Sequence, residues 1–157
     1  MKNRPERRAN TAVERRRATS KAPSSKEAWF RDEVFLVEDD HALADMIAYA
    51  LESTGRVVTV YYDGAKALRE LVALPESDTR RVVLLSIDLV GIDGHTLHER
   101  LQSLRPGSFM VAFLSTRASD TDQIRALRAG AVDYIVKPVS IQLLIEKIGV
   151  WLAFARS

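Results

Sequence analysis

Five short apolar segments alternate with five segments of helical periodicity between about residues 34 and 153, and this alternation constrains the fold most. The apolar segments are rich in valine, leucine and isoleucine, which is typical of strands buried on both faces. Helices must then cover both faces of the sheet, and right-handed crossovers must join parallel strands. The sequence therefore predicts an α/β fold with a doubly wound, parallel five-stranded sheet.

The predicted strands are VFLVED (34–39), VVTVY (57–61), VVLLS (82–86), FMVAFL (109–114) and DYIV (133–136). Between and after them, apolar residues recur at helical spacing. Asp63 and Ser140 are predicted N-caps, and Gly55 and Gly130 are predicted helix ends. The third and fourth helices are expected over 94–104 and 122–129. The helical positions are Leu43, Met46, Ile47, Ala50, Leu51, Leu68, Leu71, Val72, Leu97, Leu101, Leu104, Ile141, Leu144, Ile145, Ile148, Trp151 and Leu152.

Residues 1–30 form a basic segment that we expect to be mostly disordered, with a folded domain over 31–157. Residues 1–33 contain ten Lys or Arg against five Asp or Glu, so the positive charge lies in this arm. Large apolar residues are scarce before residue 26, and such a composition cannot repay the entropy of ordering. A solvated arm or linker is favoured, while binding of nucleic acid or an anionic surface stays a weaker alternative.

Composition excludes several classes of site. The chain has no cysteine, so disulfides and thiolate metal sites are absent. No stretch is apolar for the length of a bilayer, and we expect a cytoplasmic protein that does not contact membranes. The three histidines, His41, His95 and His98, have no evident third metal ligand and are expected to be solvated.

Polar residues gather where the predicted strands end. These residues are Glu38 and Asp39, Ser86, Ser115 and Thr116, and Lys137. In open parallel sheets, functional groups collect at the carboxyl ends of the strands. The sequence therefore predicts one functional site built from four strand ends.

The motifs LVEDD, SIDLVGIDG, FLSTR and AGAVDYIVKP, in this order, resemble the receiver domain of two-component response regulators. The resemblance covers about Glu33 to Ala153. It implies a flavodoxin-like (βα)5 fold with strand order 2-1-3-4-5. It also implies transfer of a phosphoryl group from a histidine kinase to an aspartate, with Mg²⁺ as cofactor.

The resemblance assigns roles to five residues. Glu38 and Asp39 match the acidic pair that holds Mg²⁺, an ion that prefers oxygen ligands. Lys137 and Ser115 match the lysine and the hydroxyl donor that stabilise the phosphoryl group. Tyr134 matches the aromatic switch residue.

Three further positions bear on the resemblance. The Lys137–Pro138 bond is expected to be cis, as in the family. Val90 replaces the family's proline, and Thr116 is bulkier than the usual small residue after the hydroxyl. Both departures fit a relaxed demand for phosphotransfer.

The phosphoacceptor position falls on Ser86. Without gaps, Asp93–Gly94 fits the closing D-G of the family pattern, and Gly91 fits its glycine. Asp88 then lies two residues later, where the family uses only a backbone carbonyl for the metal. Making Asp88 the acceptor requires a shorter loop, and this alternative stays open.

A serine at this position changes the expected chemistry. A serine hydroxyl is a weak nucleophile without an adjacent base. Replacing the family's aspartate carboxylate by a neutral hydroxyl also removes a negative charge and a metal ligand. We expect Mg²⁺ binding through Glu38, Asp39 and the Asp88 carbonyl to be weak or absent, and no other cofactor. The normal reaction should be absent, so the protein is not expected to be an enzyme.

The leading prediction is a pseudo-receiver that signals through protein contacts, degenerate at Ser86. Its expected contact surface is the face formed by the fourth helix, the fifth strand and the fifth helix, with Tyr134, Val150, Trp151 and Phe154. This face would meet a protein partner, a second copy, or an output domain of a larger regulator. The alternatives are an active single-domain phosphoacceptor using Asp88, and a nucleic-acid-binding arm regulated by the receiver, which is the less favoured.

Overall fold

The computed structural model describes residues 32–156, in which five strands and five helices alternate strictly. The predicted basic arm, residues 1–30, lies outside the described residues. The elements are β1 (Glu33–Val37), α1 (His41–Glu52), β2 (Val57–Tyr61), α2 (Gly64–Val72), β3 (Arg81–Ser86), α3 (Gly94–Leu104), β4 (Phe109–Ser115), α4 (Asp120–Arg128), β5 (Asp133–Val136) and α5 (Ile141–Arg156).

All five strands are parallel and lie in the order β2-β1-β3-β4-β5. This order and the flanking helices confirm the predicted flavodoxin-like fold. The chain reverses its direction of winding at β1, because β2 lies on one side of it and β3 on the other. The carboxyl ends of β1 and β3 therefore border a topological switch point, where such sheets place functional groups.

The core has two layers, one on each face of the sheet. Successive strand residues point to opposite faces, so Leu36 and Leu84 face α1 and α5, whereas Phe35 and Leu85 face the other helices. Residues of both sets are fully buried. This burial on both faces explains why the strands are apolar throughout rather than alternating.

The predicted N-cap of α2 and the predicted ends of α1 and α4 are confirmed. Asp63 accepts a hydrogen bond from the Lys66 amide at 3.0 Å and caps α2. Gly55 and Gly130 have φ of 87° and 101°, which glycine adopts without a Cβ penalty. The loops after α1 and α4 therefore turn where expected.

Three helix predictions need correction. α4 begins at Asp120, two residues early, because Ser119 caps it and accepts from the Asp122 amide. Leu104 has apolar spacing but is exposed, since it lies at the margin of the buried face of α3. Met46 is exposed because α1 buries Ala44, Ile47, Ala48 and Leu51, and Met46 lies nearly opposite them on the helix. Between residues 32 and 156, no helix is long and apolar enough to cross a membrane.

Candidate functional site

The predicted site residues meet at the carboxyl edge of the sheet. In the strand register, Val37 lies opposite Leu85, and Ser86 lies opposite Leu114. The residue after β1 and the last residues of β3 and β4 therefore lie side by side at the carboxyl edge of the sheet. The peptide bond between Lys137 and Pro138, directly after β5, is cis, as the resemblance predicts.

Glu38 is the centre of this edge and is fully buried. Its backbone amide donates to the Tyr61 carbonyl of β2 at 3.0 Å, which extends the strand pairing by one residue. Lys137 Nζ lies 2.5 Å from Glu38 Oε1. Ser86 Oγ donates a short hydrogen bond to Glu38 Oε2. Each carboxyl oxygen thus has a partner from a different strand end.

This arrangement neutralises a charge that would otherwise be costly to bury. A buried carboxylate is tolerated when a cation pairs with it and its remaining lone pairs accept hydrogen bonds. Lys137 supplies the cation and Ser86 supplies the second donor. We call Ser86, Glu38 and Lys137 the buried triad. Each oxygen of its carboxylate thus has one donor within the triad.

Ser86 and Asp88 face different partners. Ser86 is the last residue of β3, fully buried, with its hydroxyl on Glu38. The Asp88 side chain is 51% exposed and forms an ion pair with Arg117 at 3.2 Å. The side chain that the third strand presents to Glu38 is therefore a hydroxyl. The carboxylate two residues later points towards the loop after β4.

The turn after β3 is fixed by tight packing at Gly94. A Cβ on this glycine would lie 2.3 Å from the Ser86 carbonyl oxygen, so only glycine fits. Its amide donates to the Ile87 carbonyl at 2.8 Å. Asp93 caps α3 by accepting from the Thr96 amide, and this hydrogen bond lowers the pKa of Asp93. The D-G pair thus holds the end of β3 in place.

The residues present do not fit a Mg²⁺ site. Both Glu38 oxygens accept from Ser86 and Lys137, and the Asp88 side chain pairs with Arg117, while the predicted ligand at position 88, its backbone carbonyl, carries no charge. Asp40 instead caps α1 through the Leu43 amide. Asp39 is the one remaining carboxylate of the predicted set. Among residues 32–156, no group of three or more His, Cys, Asp or Glu side chains is arranged to hold a metal ion.

The hydroxyl and aromatic positions meet at one residue that the sequence analysis did not single out, Arg117. Its backbone amide donates to Ser115 Oγ at 3.0 Å. Its carbonyl accepts from the Tyr134 hydroxyl at 2.7 Å. Its side chain pairs with Asp88, whereas Thr116 is exposed. Arg117 lies in the FLSTR motif, but no spacing pattern links it to Asp88, 29 residues away.

Two of the three histidines, His95 and His98, correct the expectation of solvated side chains, whereas His41 is exposed as expected. His98 is buried and meets the Phe113 ring edge-on, with centroids 5.3 Å apart. Its pKa is lowered because burial disfavours the imidazolium, and burial also lowers the pKa of the half-buried His95. His41 stacks on Tyr62 with centroids 3.9 Å apart. The i, i+3 pair of histidines thus packs on the sheet instead of facing water.

The predicted contact surface also needs correction. Trp151 and Tyr134 are buried in the two core layers and are not available to a partner. Val150 and Phe154 are 53% and 58% exposed. The Tyr134 hydroxyl donates to the Arg117 carbonyl, so this buried tyrosine has a hydrogen-bond partner for its polar group.

Comparison with known proteins agrees with this geometry. Residues 34–149 match the family model of the response regulator receiver domain. The chain is 36% identical over 115 residues to the sensory transduction protein RegX3 of Mycolicibacterium smegmatis, covering 73% of this chain and 48% of that protein. It is 34% identical over 110 residues to the transcriptional regulatory protein CreB of Escherichia coli, covering 70% and 46%. The chain thus spans about half the length of these relatives.

Solved structures give the same picture. The receiver domain of the Francisella response regulator 1452 superposes with a TM-score of 0.72 at 27% identity, covering 79% of this chain and 98% of that one. The CheY-like receiver domain protein of Methanospirillum hungatei superposes with a TM-score of 0.70 at 29% identity, covering 80% and 96%.

Proposed function

Since the chain belongs to the response regulator receiver family, we propose that it is a signalling module that works without phosphorylation of an aspartate. Receiver domains are signalling modules that interact with proteins of two-component pathways. We propose how the signalling state of this member is controlled and which surface binds its protein partner. Its single supporting observation is the buried triad of Ser86, Glu38 and Lys137.

The chemistry of the triad argues against the usual reaction. An aspartate forms a mixed anhydride that exchanges with phosphohistidine, whereas a serine would form a far less reactive ester. Glu38 is adjacent to the Ser86 hydroxyl, as a general base would be. Its other carboxylate oxygen, however, is already paired with Lys137. Ser86 is in addition fully buried, and its oxygen is carried on a side chain one atom shorter than that of aspartate, so it reaches less far towards a phosphodonor.

Asp88 is poorly placed to act as the alternative acceptor. Its carboxylate is paired with a guanidinium, and neither Lys137 nor Ser115 contacts it. A phosphoryl group there would lack the donors that stabilise its developing charge. The alternative function as an active single-domain phosphoacceptor therefore predicts a labelled Asp88, which can be tested directly.

The test exposes the full chain to phosphoramidate with Mg²⁺ and measures its intact mass. We expect no adduct on the wild-type chain or on Asp88→Asn. Ser86→Asp restores a third carboxylate beside Glu38 and Asp39, so we expect this variant to bind Mg²⁺ and gain one labile phosphoryl group. A hydroxylamine-sensitive adduct on the wild-type chain that Asp88→Asn removes would contradict the proposal.

We further propose that the contact surface is the face formed by α4, β5 and α5. β5 is an edge strand of the sheet. Lys147 of α5 pairs with Asp133 of β5 at 2.8 Å, so this side of α5 lies next to the edge strand. Helical spacing places Lys147 in one row with three exposed apolar residues, Leu143, Val150 and Phe154. On α4, Ile124 and Leu127 are also exposed.

The partner that can be tested first is a second copy of this chain. An apolar row beside an open strand edge is typical of association surfaces. Sedimentation velocity of the full chain should show concentration-dependent dimerisation that Phe154→Arg reduces and that Tyr49→Arg, on exposed α1 surface, does not. A strictly monomeric wild-type chain would exclude the second copy as the partner.

A further inference from the structure

Arg117 is held in three ways at the start of the loop between β4 and α4. Its amide donates to Ser115 Oγ, and its carbonyl accepts from the Tyr134 hydroxyl. Its guanidinium contacts Asp88 Oδ1 through Nε at 3.3 Å and Nη2 at 3.2 Å. The first two contacts involve the backbone, so the third alone depends on the identity of this side chain.

We propose that the Asp88–Arg117 ion pair, which we call the clasp, is a positioning contact that keeps the β4–α4 loop in place and thereby keeps Tyr134 buried. The inference deepens the proposed function, because it names what sets the switch residue where no phosphoryl group does so. It gives Asp88 a role other than phosphoacceptor. It also makes Arg117 a residue that acts through Tyr134.

The clasp joins a largely buried turn to a solvent-facing loop. On the β3–α3 side, Asp88 lies between Ile87 and Leu89, which are both buried. The Ile87 amide donates to the Leu114 carbonyl of β4, and its carbonyl accepts from two amides of its own loop. On the other side, residues 116–120 are all exposed. An anchored carboxylate thus holds a cation that belongs to a solvent-facing segment.

Tyr134 responds to the loop because its hydroxyl has its acceptor there. The Tyr134 ring is buried in the core layer that contains Phe113, and the hydroxyl reaches the Arg117 carbonyl. If the loop moves, a buried hydroxyl loses its partner, which is unfavourable. Turning the ring towards solvent restores hydrogen bonding with water. The position of the loop and the orientation of Tyr134 are therefore coupled.

The ion pair of the clasp is exposed to the ions of the solvent. The Arg117 and Asp88 side chains are 59% and 51% exposed, so solvent ions screen their attraction. The pairing with Asp88 raises the pKa of Arg117, and the guanidinium remains charged at all relevant pH values. Ionic strength, and not pH near neutrality, should therefore weaken the contact.

The experiment follows Tyr134 in the full chain labelled with 3-fluorotyrosine. The four tyrosine resonances are assigned with single Tyr→Phe variants. The change in ¹⁹F shift between H₂O and D₂O reports solvent contact, with exposed Tyr49 and buried Tyr61 as internal references. We expect Tyr134 to resemble Tyr61 in the wild-type chain. In Arg117→Ala and in Asp88→Ala, its isotope shift should move towards that of Tyr49.

Two comparisons separate the clasp from a general effect of mutation. Arg128→Ala removes an exposed charge at the far end of α4 and should leave Tyr134 unchanged. The charge exchange Asp88→Arg with Arg117→Asp should recover most of the wild-type shift. High salt should move the wild-type resonance in the direction of Arg117→Ala and have little effect on that variant.

One result would contradict the proposed role of the clasp. If Tyr134 keeps the isotope shift of a buried tyrosine in both folded single variants, the clasp does not position it. Labelling of the wild-type chain by phosphoramidate would contradict the proposed function and would leave this result unaffected. The two proposals can therefore fail separately.

Discussion

Ser86 donates a hydrogen bond to Glu38 across the carboxyl ends of β3 and β1, and both residues are fully buried. A short neutral side chain at this position lets Lys137 pair with Glu38. Side chains from the ends of three strands are thus linked directly.

Ser86→Ala should lower the free energy of unfolding by about 1–3 kcal/mol, because it leaves a buried carboxylate oxygen without its donor. Urea denaturation followed by tryptophan fluorescence measures the change. Ser103→Ala removes an exposed hydroxyl from α3 and should change stability by about 0.5 kcal/mol or less. Equal effects of the two substitutions would argue against the Ser86–Glu38 bond.

Lys137→Met should cost about 3–5 kcal/mol of unfolding free energy, because it leaves the buried Glu38 carboxylate without a cation. Adding Glu38→Met removes the unpaired charge, so the double variant should be more stable than Lys137→Met alone. Urea titration of the single and double variants, with Lys66→Met on α2 as control, measures the coupling. Additive losses would show that the pair contributes little.

Stability should decrease as the pH falls below about 6.5, because burial lowers the pKa of His98 in the folded state. The unfolded chain then binds the proton more readily, so the loss begins near the unfolded pKa and is complete below the folded one. His95 acts in the same direction. Unfolding free energies at about pH 5 and pH 8 should differ less in His98→Gln than in the wild-type chain. An equal difference in His98→Gln and in the wild-type chain would argue against this role of His98.

Gly94→Ala should destabilise the fold by about 1–3 kcal/mol through overpacking, because its Cβ would overlap the Ser86 carbonyl oxygen. The backbone at the end of β3 would have to shift, which should also perturb the buried triad. Thermal unfolding and the amide resonances of residues 86–94 report the two effects. Gly149→Ala, whose Cβ would meet only a flexible arginine end at 3.3 Å, is the matched control.

The sequence predicted the frame of the fold because its signals are local. The bounds of β2, β5 and α3 agree with the structure, since β-branched runs, a capping Asp93 and Gly94 define them within a few residues. The start of α4 was wrong because Ser119 and the acids after it offer competing caps. Periodicity alone also could not distinguish a buried position from the margin of a face, as Leu104 illustrates.

Within the site, the sequence identified residues but not their pairing. Strand ends brought Glu38, Ser86 and Lys137 together, as parallel topology requires. The role of Arg117 depends on a contact between two loops 29 residues apart, and no local pattern records it. The burial of Trp151 and His98 depends on how helices dock on the sheet, and this too is a tertiary property.

The most direct test of phosphorylation independence is the ¹H–¹⁵N spectrum of the full chain before and after phosphoramidate with Mg²⁺. The account predicts that the amide resonances of Ser86, Arg117 and Tyr134 stay unchanged in the wild-type chain. Ser86→Asp, treated in parallel, should show shifts at the same positions and confirms that the donor and metal are active. Wild-type shifts at these three residues that reverse when the donor is removed would contradict the account.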